Sequence, residues 1–164
     1  MIQKILDKYT DIDTKHLTIG EGGIFTKSTA VHTVLGSCVA VTFYCKKMQI
    51  GAVFHALLPR WNNHEKKEFG INRYKYVDSA INAICGRLRQ KGLMERDIEC
   101  KIFGGANGMM QGEIGAGEKN VKAAFETLME HKMRITATDV GGKVGRKIVF
   151  ITSTGEVYAK RLKG

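Results

Sequence analysis

Two periods of apolar positions divide this chain. Val39-Ala-Val-Thr-Phe-Tyr44 and Gln49-Ile-Gly-Ala-Val-Phe-His55 are rich in β-branched and aromatic residues, with a polar break at Lys46-Lys47. Two such runs around a short polar break predict a β-hairpin, although the turn carries neither Asn-Gly nor Asp-Gly. Pro59 stops the second strand. Arg60 to Arg73 is charged, with Trp61 and Phe69 isolated within it, and reads as an exposed, mobile loop. From Tyr74 to Lys91 the period changes. Val77, Ile81, Ile84 and Leu88 recur at helical spacing, and Gly92 stands where a helix would end.

Glu99 to Phe103 then predicts a short strand running into Gly104-Gly105. A second helix is expected from Glu118 to Lys132, with Val121, Phe125, Leu128 and Met129 on its apolar face. Arg134–Val140, Lys147–Ser153 and Glu156–Leu162 are strand candidates, the last two joined through Thr154-Gly155 as a second hairpin. Before Thr29 the pattern is weaker: Gly20, Gly22 and Gly23 mark loop, with one short strand at Gly23–Thr26. Residues 1–18 read as a loosely attached N-terminal extension of a single domain spanning 1–164. Mixed strands with two long helices predict an α+β, or layered α/β, class.

Composition narrows the function. The chain has 164 residues, 43% of them hydrophobic, enough for one domain with its own core and against overall disorder. No apolar run reaches the length of a membrane span, and Met1 to Thr10 lacks the apolar segment of a signal peptide, so a cytoplasmic, non-inserted protein is expected. The net charge of +10 invites a nucleic-acid reading. The basic residues, however, are spread over Arg60–Lys75, Arg87–Lys91 and Lys143–Lys163 rather than gathered in one stripe, and no RNA-binding aromatic signature or zinc-finger spacing accompanies them. A basic surface that docks on an acidic protein fits better. Cys38, Cys45, Cys85 and Cys100 form no Cys-x-x-Cys pair, and each can be read as a small buried apolar residue.

One cysteine has a second reading. If the hairpin turns about the Lys46–Lys47 bond, paired residues carry numbers summing to 93, as Cys38 and His55 do. Opposed residues share a face, with Cβ atoms roughly 4.5–5.5 Å apart. The other face pairs Val39 with Phe54, Val41 with Ala52 and Phe43 with Ile50, wholly apolar. On the Cys/His face stand Ala40, Thr42, Gly51 and Val53, small enough to leave room for a substrate. An imidazole beside a thiol lowers its pKa or takes its proton, and yields a nucleophile. Gly36 permits close approach, so backbone amides at or before Cys38 could receive an oxyanion. Against this, Cys38 can be a core thiol and His55 a satisfied strand histidine, and one bulge would break the register.

Other constellations carry less. Gly104-Gly105-Ala-Asn-Gly108 lacks the Gly-Lys-Ser/Thr ending of a phosphate loop and the full dinucleotide fingerprint, and reads as a tight turn beside a pocket. Asp139 with Gly141-Gly142 reads as a strand-end turn. His16, His32, His64 and His131 show no metal-ligand spacing, and no metal is expected. Asp78 and Glu118 read as solvated or helix-end carboxylates.

The run Thr33-Val-Leu-Gly-Ser-Cys-Val39 followed by His55-Ala-Leu-Leu-Pro59 closely resembles the CheD family of chemoreceptor glutamine deamidases. Tyr76-Val-Asp-Ser-Ala80, Phe103-Gly-Gly-Ala106, Ile114-Gly, Asn120-Val121, Asp139-Val-Gly-Gly142, Gly145-Arg146-Lys147 and Thr154-Gly155 extend the likeness over nearly all of the chain after Ile19. The resemblance implies packed mixed sheets flanked by two main helices, similar to the fold of glutamine-deamidating toxins. It also implies a cysteine amidohydrolase that converts glutamines of methyl-accepting chemotaxis receptors to glutamate without metal or cofactor. Cys38 would be the nucleophile and His55 the base. The third catalytic residue would be a threonine shortly before the cysteine: Thr33, although some members place it one position further away, where this chain has His32. A CheC-type phosphatase is an implied partner. A non-catalytic adaptor role beside such a phosphatase, and hydrolysis of glutamyl methyl esters at the same site, remain the rival functions. With a receptor as substrate, the +10 charge reads as steering toward a helical bundle that gains acidic residues as it is processed.

Overall fold

Every residue of Val39–Cys45 and of Ile50–Ala56 is buried, which a strand achieves only when both faces of its sheet are covered. The computed structural model describes residues 2–62, 72–108 and 115–163, and shows what the covers are. Elements follow in the order α1 (Ile2–Leu6), β1 (Asp13–His16), β2 (Gly22–Phe25), β3 (Thr29–Leu35), β4 (Val39–Cys45) and β5 (Ile50–Ala56). Then come α2 (Val77–Gln90), β6 (Glu99–Gly104), α3 (Ala116–Glu130), β7 (Arg134–Val140), β8 (Arg146–Ile151) and β9 (Val157–Arg161). The strands form a five-stranded sheet ordered β2-β5-β4-β6-β7 and a four-stranded sheet ordered β1-β3-β8-β9. Both are mixed: β1 runs parallel to β3 and β7 parallel to β6, while the other pairs are antiparallel.

Helices α2 and α3 cover one face of the larger sheet. Val77, Ile81, Ile84 and Leu88 of α2 pack there with Val41, Phe43, Phe54 and Ile102. The other face of that sheet meets the smaller sheet through Leu17, Val31, Leu35, Ala40, Val53, Phe103 and Phe150. Ile5 of α1 closes the outer face of the smaller sheet, against Ala30, Val149 and Ile151. This is the layered α+β arrangement that the two periods predicted.

Four expectations change. The hairpin register is displaced by one pair, with His55 opposite Ala40 and Ile50 opposite Cys45, because residues 46–49 form a four-residue turn in which Gln49 takes φ 53°. A shift of one whole pair keeps every side chain on its face. Ala40, Thr42, Gly51 and Val53 do not leave space for a substrate: they are small because the second sheet lies on them. A Cβ at Gly51 would sit 2.7 Å from the Phe150 ring and 2.8 Å from the Thr152 carbonyl. The second helix is turned relative to the expected face. Asn120, Ala123, Ala124, Thr127 and Leu128 are buried, Val121 and Phe125 only partly, and Met129 is 69% exposed.

The first residues are not a loose extension, since Ile5 and Leu17 are buried and β1 joins the smaller sheet beside β3. Most of the Arg60–Arg73 loop, with Phe69 and His64, lies outside the described residues. Its near end is fixed: the Trp61 amide donates to Asp78 Oδ1 at 2.8 Å, and Arg60 pairs with Glu126 at 2.7 Å. Asp78 therefore ties this segment to the start of α2.

Candidate active site

Thr33 lies on β3 of the smaller sheet, in the inward-facing set with Val31 and Leu35, while His32 and Val34 alternate to the other side. His55 lies on β5 of the larger sheet. Where the sheets pack, Thr33 Oγ1 comes within 2.8 Å of His55 Nδ1 and 2.6 Å of the Leu17 carbonyl. A threonine hydroxyl has one proton. The carbonyl can only accept, so the hydroxyl donates to Leu17, and His55 Nδ1–H donates to Thr33. That fixes the tautomer: Nε2 keeps its lone pair. Nε2 is buried and has no hydrogen-bond partner among the described residues.

Cys38 sits one residue before β4, on the inter-sheet face that carries Ala40 and Val53. With His55 opposite Ala40, Cys38 is its diagonal neighbour on that face, a relation that spans roughly 7–8 Å between backbones and suits longer side chains. The backbone of His55 is clasped by the segment after Leu17: Gly20 donates to the His55 carbonyl at 2.8 Å, and His55 donates to Glu21 at 2.9 Å. The structure thus gathers Thr33, Cys38 and His55 at one end of the sheet interface. His32 stays outside, its ring stacked on His16 at 5.0 Å.

The electrostatics favour neutral groups. Burial pushes the Cys38 thiol above its usual range, partly offset by its own backbone amide. Burial also holds the His55 imidazole below its usual range, partly offset by the Leu17 carbonyl, with His16 adding in the same direction as burial. Both shifts oppose a resting thiolate–imidazolium pair. The arrangement suits general-base removal of the thiol proton during attack.

The turn after β6 has a larger part than its glycines suggested. Gly105 donates to the Cys38 carbonyl at 2.8 Å and Ala106 to the Gly36 carbonyl at 2.9 Å. Gly104 takes φ +106°, and a Cβ there would collide with the Cys38 carbonyl. Only glycine admits both the angle and the approach. Asn120, fully buried on α3, donates from Nδ2 to the Ser37 carbonyl at 2.9 Å and the Leu57 carbonyl at 3.1 Å. Sequence reasoning gave it no role. The available signal was a polar residue on the same helical stripe as Gly117, Ala124 and Leu128.

Asp139 is likewise more than a turn residue, since Arg146, 1% exposed, pairs with its carboxylate at 2.8 Å and also donates to the Asp139 and Gly141 carbonyls. That pair joins β7 of one sheet to β8 of the other. Gly36, Ser37, Ala106, Asn107, Lys143 and Gly145 line a cleft of about 350 Å³ beside the Cys38 loop. Among the described residues no group of three or more His, Cys, Asp or Glu side chains stands close enough to hold a metal ion. No helix of the described residues is long and apolar enough to cross a membrane.

The family model described as CheD chemotactic sensory transduction matches residues 57–161. A protein of Maridesulfovibrio salexigens, named probable chemoreceptor glutamine deamidase CheD, is 37% identical over 161 residues, covering 94% of this chain and 95% of its own. The chain belongs to the CheD family. A CheD relative of the same name from Oleidesulfovibrio alaskensis is 39% identical over 155 residues, covering 90% of this chain and 72% of its own. Another from Thermococcus kodakarensis is 34% identical over 150 residues, covering 88% and 90%. Among solved structures, a Neisseria meningitidis protein of the DUF152 family aligns with TM-score 0.50 at 9% identity, over 87% of this chain and 69% of that one. That likeness concerns the fold alone. The family-model match begins after His55, so the relatives carry the resemblance through the first part of the chain.

Proposed function

We propose that this CheD protein is a cytoplasmic, single-domain protein-glutamine amidohydrolase that converts glutamines of methyl-accepting chemotaxis receptors to glutamate. The names of the CheD relatives supply the substrate class. The observation that carries the chemistry is the Leu17–Thr33–His55 relay, which leaves Nε2 as a free base on the face that bears Cys38.

His55 Nε2 takes the Cys38 proton as Sγ bonds to the glutamine side-chain carbonyl carbon, and the carbonyl electrons move onto oxygen. Backbone amides near Cys38, in the loop fixed by Gly105 and Ala106, receive that oxyanion. The imidazolium returns its proton to the leaving nitrogen, the C–N bond breaks, and ammonia departs from a thioester. Nε2 next deprotonates water as it attacks the thioester, and the proton passes to Sγ as the C–S bond breaks. Thr33 holds the imidazole in the reactive tautomer throughout, the part an orienting third group plays in triads.

Mass spectrometry of a purified receptor cytoplasmic fragment tests this. The wild type should produce the mass gain of amide-to-acid exchange at defined glutamines, and Cys38→Ala should produce none. Loss of a methyl group's mass at methylated sites would show an esterase instead. Absence of any change, with co-elution of a CheC-type phosphatase, would show the adaptor.

A further inference from the structure

We infer that Asn120 is a positioning residue for this reaction, holding the Cys38 loop and the His55 strand in one reactive geometry. The inference rests on the amidohydrolase reading above. Ser37 is the residue before Cys38, and Leu57 lies two residues beyond His55. Their carbonyls converge on a single nitrogen, Asn120 Nδ2, at 2.9 and 3.1 Å. Both partners can only accept, so the nitrogen end of the amide is settled, and its two protons are divided between the two segments. Among the described residues no backbone pairing performs this task, because the β4–β5 ladder ends at Val39 and Ala56, just short of both carbonyls.

The anchor is itself fixed. Asn120 stands in the second turn of α3 and is fully buried. The same helix is referenced to the turn that holds Cys38: the Glu118 amide donates to Asn107 Oδ1 at 2.9 Å, and Gly117 lies against the Gly105 and Ala106 carbonyls so closely that a Cβ would clash with both. Asn120 Oδ1, meanwhile, is buried with no hydrogen-bond partner among the described residues. An aliphatic side chain would fill that space without an unpaired oxygen of its own, but would leave the Ser37 and Leu57 carbonyls without this donor. It could not join the two carbonyls. The side chain is thus set by the junction it makes rather than by packing.

Thr33 controls the tautomer and orientation of His55; Asn120 controls where Cys38 stands relative to it. Displacement of a reacting group by a fraction of its contact distance is enough to lower a rate by orders of magnitude. The Asn120→Ala enzyme should therefore keep its KM and lose kcat by about a hundredfold. Asn120→Ser, which retains one donor, should fall between Ala and wild type. Asn120→Asp, of the same shape but without the paired donors, should resemble Ala.

A double-mutant cycle with His55→Ala separates positioning from simple destabilisation. If Asn120 works through the Cys38–His55 geometry, Asn120→Ala should cost nothing further once His55 is gone. Circular dichroism and thermal melts verify that each variant is folded at the assay temperature, and the Asp and Ser variants carry the comparison if Ala does not fold. Near-wild-type kcat in the folded Ala or Asp variant, or equal losses with and without His55, would overturn the inference. A wild-type rate in His55→Ala alone is a different result: it would overturn the amidohydrolase reading.

Discussion

The larger sheet has two faces, and each buries cysteine. On the helix-covered face Cys45, Cys85 and Cys100 sit among aliphatic side chains. Burial is the largest influence on two of them: the Cys85 thiol is pushed up to about 12, and the Cys100 thiol is raised as well. On the opposite face Cys38 is also buried and its thiol also raised, yet it shares that face with an imidazole oriented by Thr33. Burial therefore does not separate an inert thiol from a candidate nucleophile here. The neighbours do: the imidazole stands on the same sheet as Cys38, and the threonine that orients it comes from the second.

The hardest test of this contrast exchanges single thiols across the two faces. Cys38→Ala should abolish receptor deamidation, a loss of at least about 10³-fold, as removal of a nucleophile does. Cys100→Ala should leave kcat within about twofold and lower stability by about 1–2 kcal/mol through the small cavity created. Assays on a receptor fragment and urea melts measure the two effects separately. Thr33→Val comes next. It preserves shape but removes the acceptor that selects the Nδ1–H tautomer, so kcat should fall about 10- to 100-fold with KM unchanged.

A gentler test uses pH. With His55 held below its ordinary range, the base stays unprotonated into mildly acidic solution, so the acid limb of kcat should lie below the usual imidazole value. With the Cys38 thiol raised, iodoacetamide should label it slowly at neutral pH and faster only above the ordinary thiol range. Rapid labelling at pH 6 would reveal a resting ion pair and refute the neutral one. The smallest effect belongs to the helix side. The folded state holds the Cys85 proton to about 12, while the unfolded chain loses it near the ordinary value of 9.0. Between these values the unfolded state binds fewer protons, so stability falls as pH rises. Cys85→Ala should make that alkaline decline of the urea midpoint shallower.

Local period made most of this molecule legible. The strands β4 to β9 and the helices α2 and α3 lie where their patterns place them, with ends within a few residues of expectation, although α3 buries a different face from the one its apolar residues marked. β3 was missed although Thr29-Ala-Val-His-Thr-Val-Leu35 is rich in β-branched residues, because no turn cue sets it apart from the loop before it. The hairpin register slipped by one pair for a related reason: residues 46–49 carry no turn signature, and their length was decided by the conformation at Gln49. Cys38 and His55 nevertheless stayed on one face, since faces survive an even shift. The partnership of Thr33 with His55 and the joining role of Asn120 were beyond pattern. Both depend on which surfaces pack together, and neither leaves a periodic trace in the chain.

The hydrogen bond between Thr33 and His55 runs from one sheet to the other. Partial opening of that interface would separate them while each sheet kept its own ladder. Activity would then report on sheet docking rather than on secondary structure, and should disappear at denaturant concentrations where circular dichroism is still native. The same dependence acts during synthesis. Thr33 and Cys38 emerge early, but β8, the inner neighbour of β3, and β9 come last. A nascent or truncated chain that cannot complete the second sheet holds all three residues and no working site.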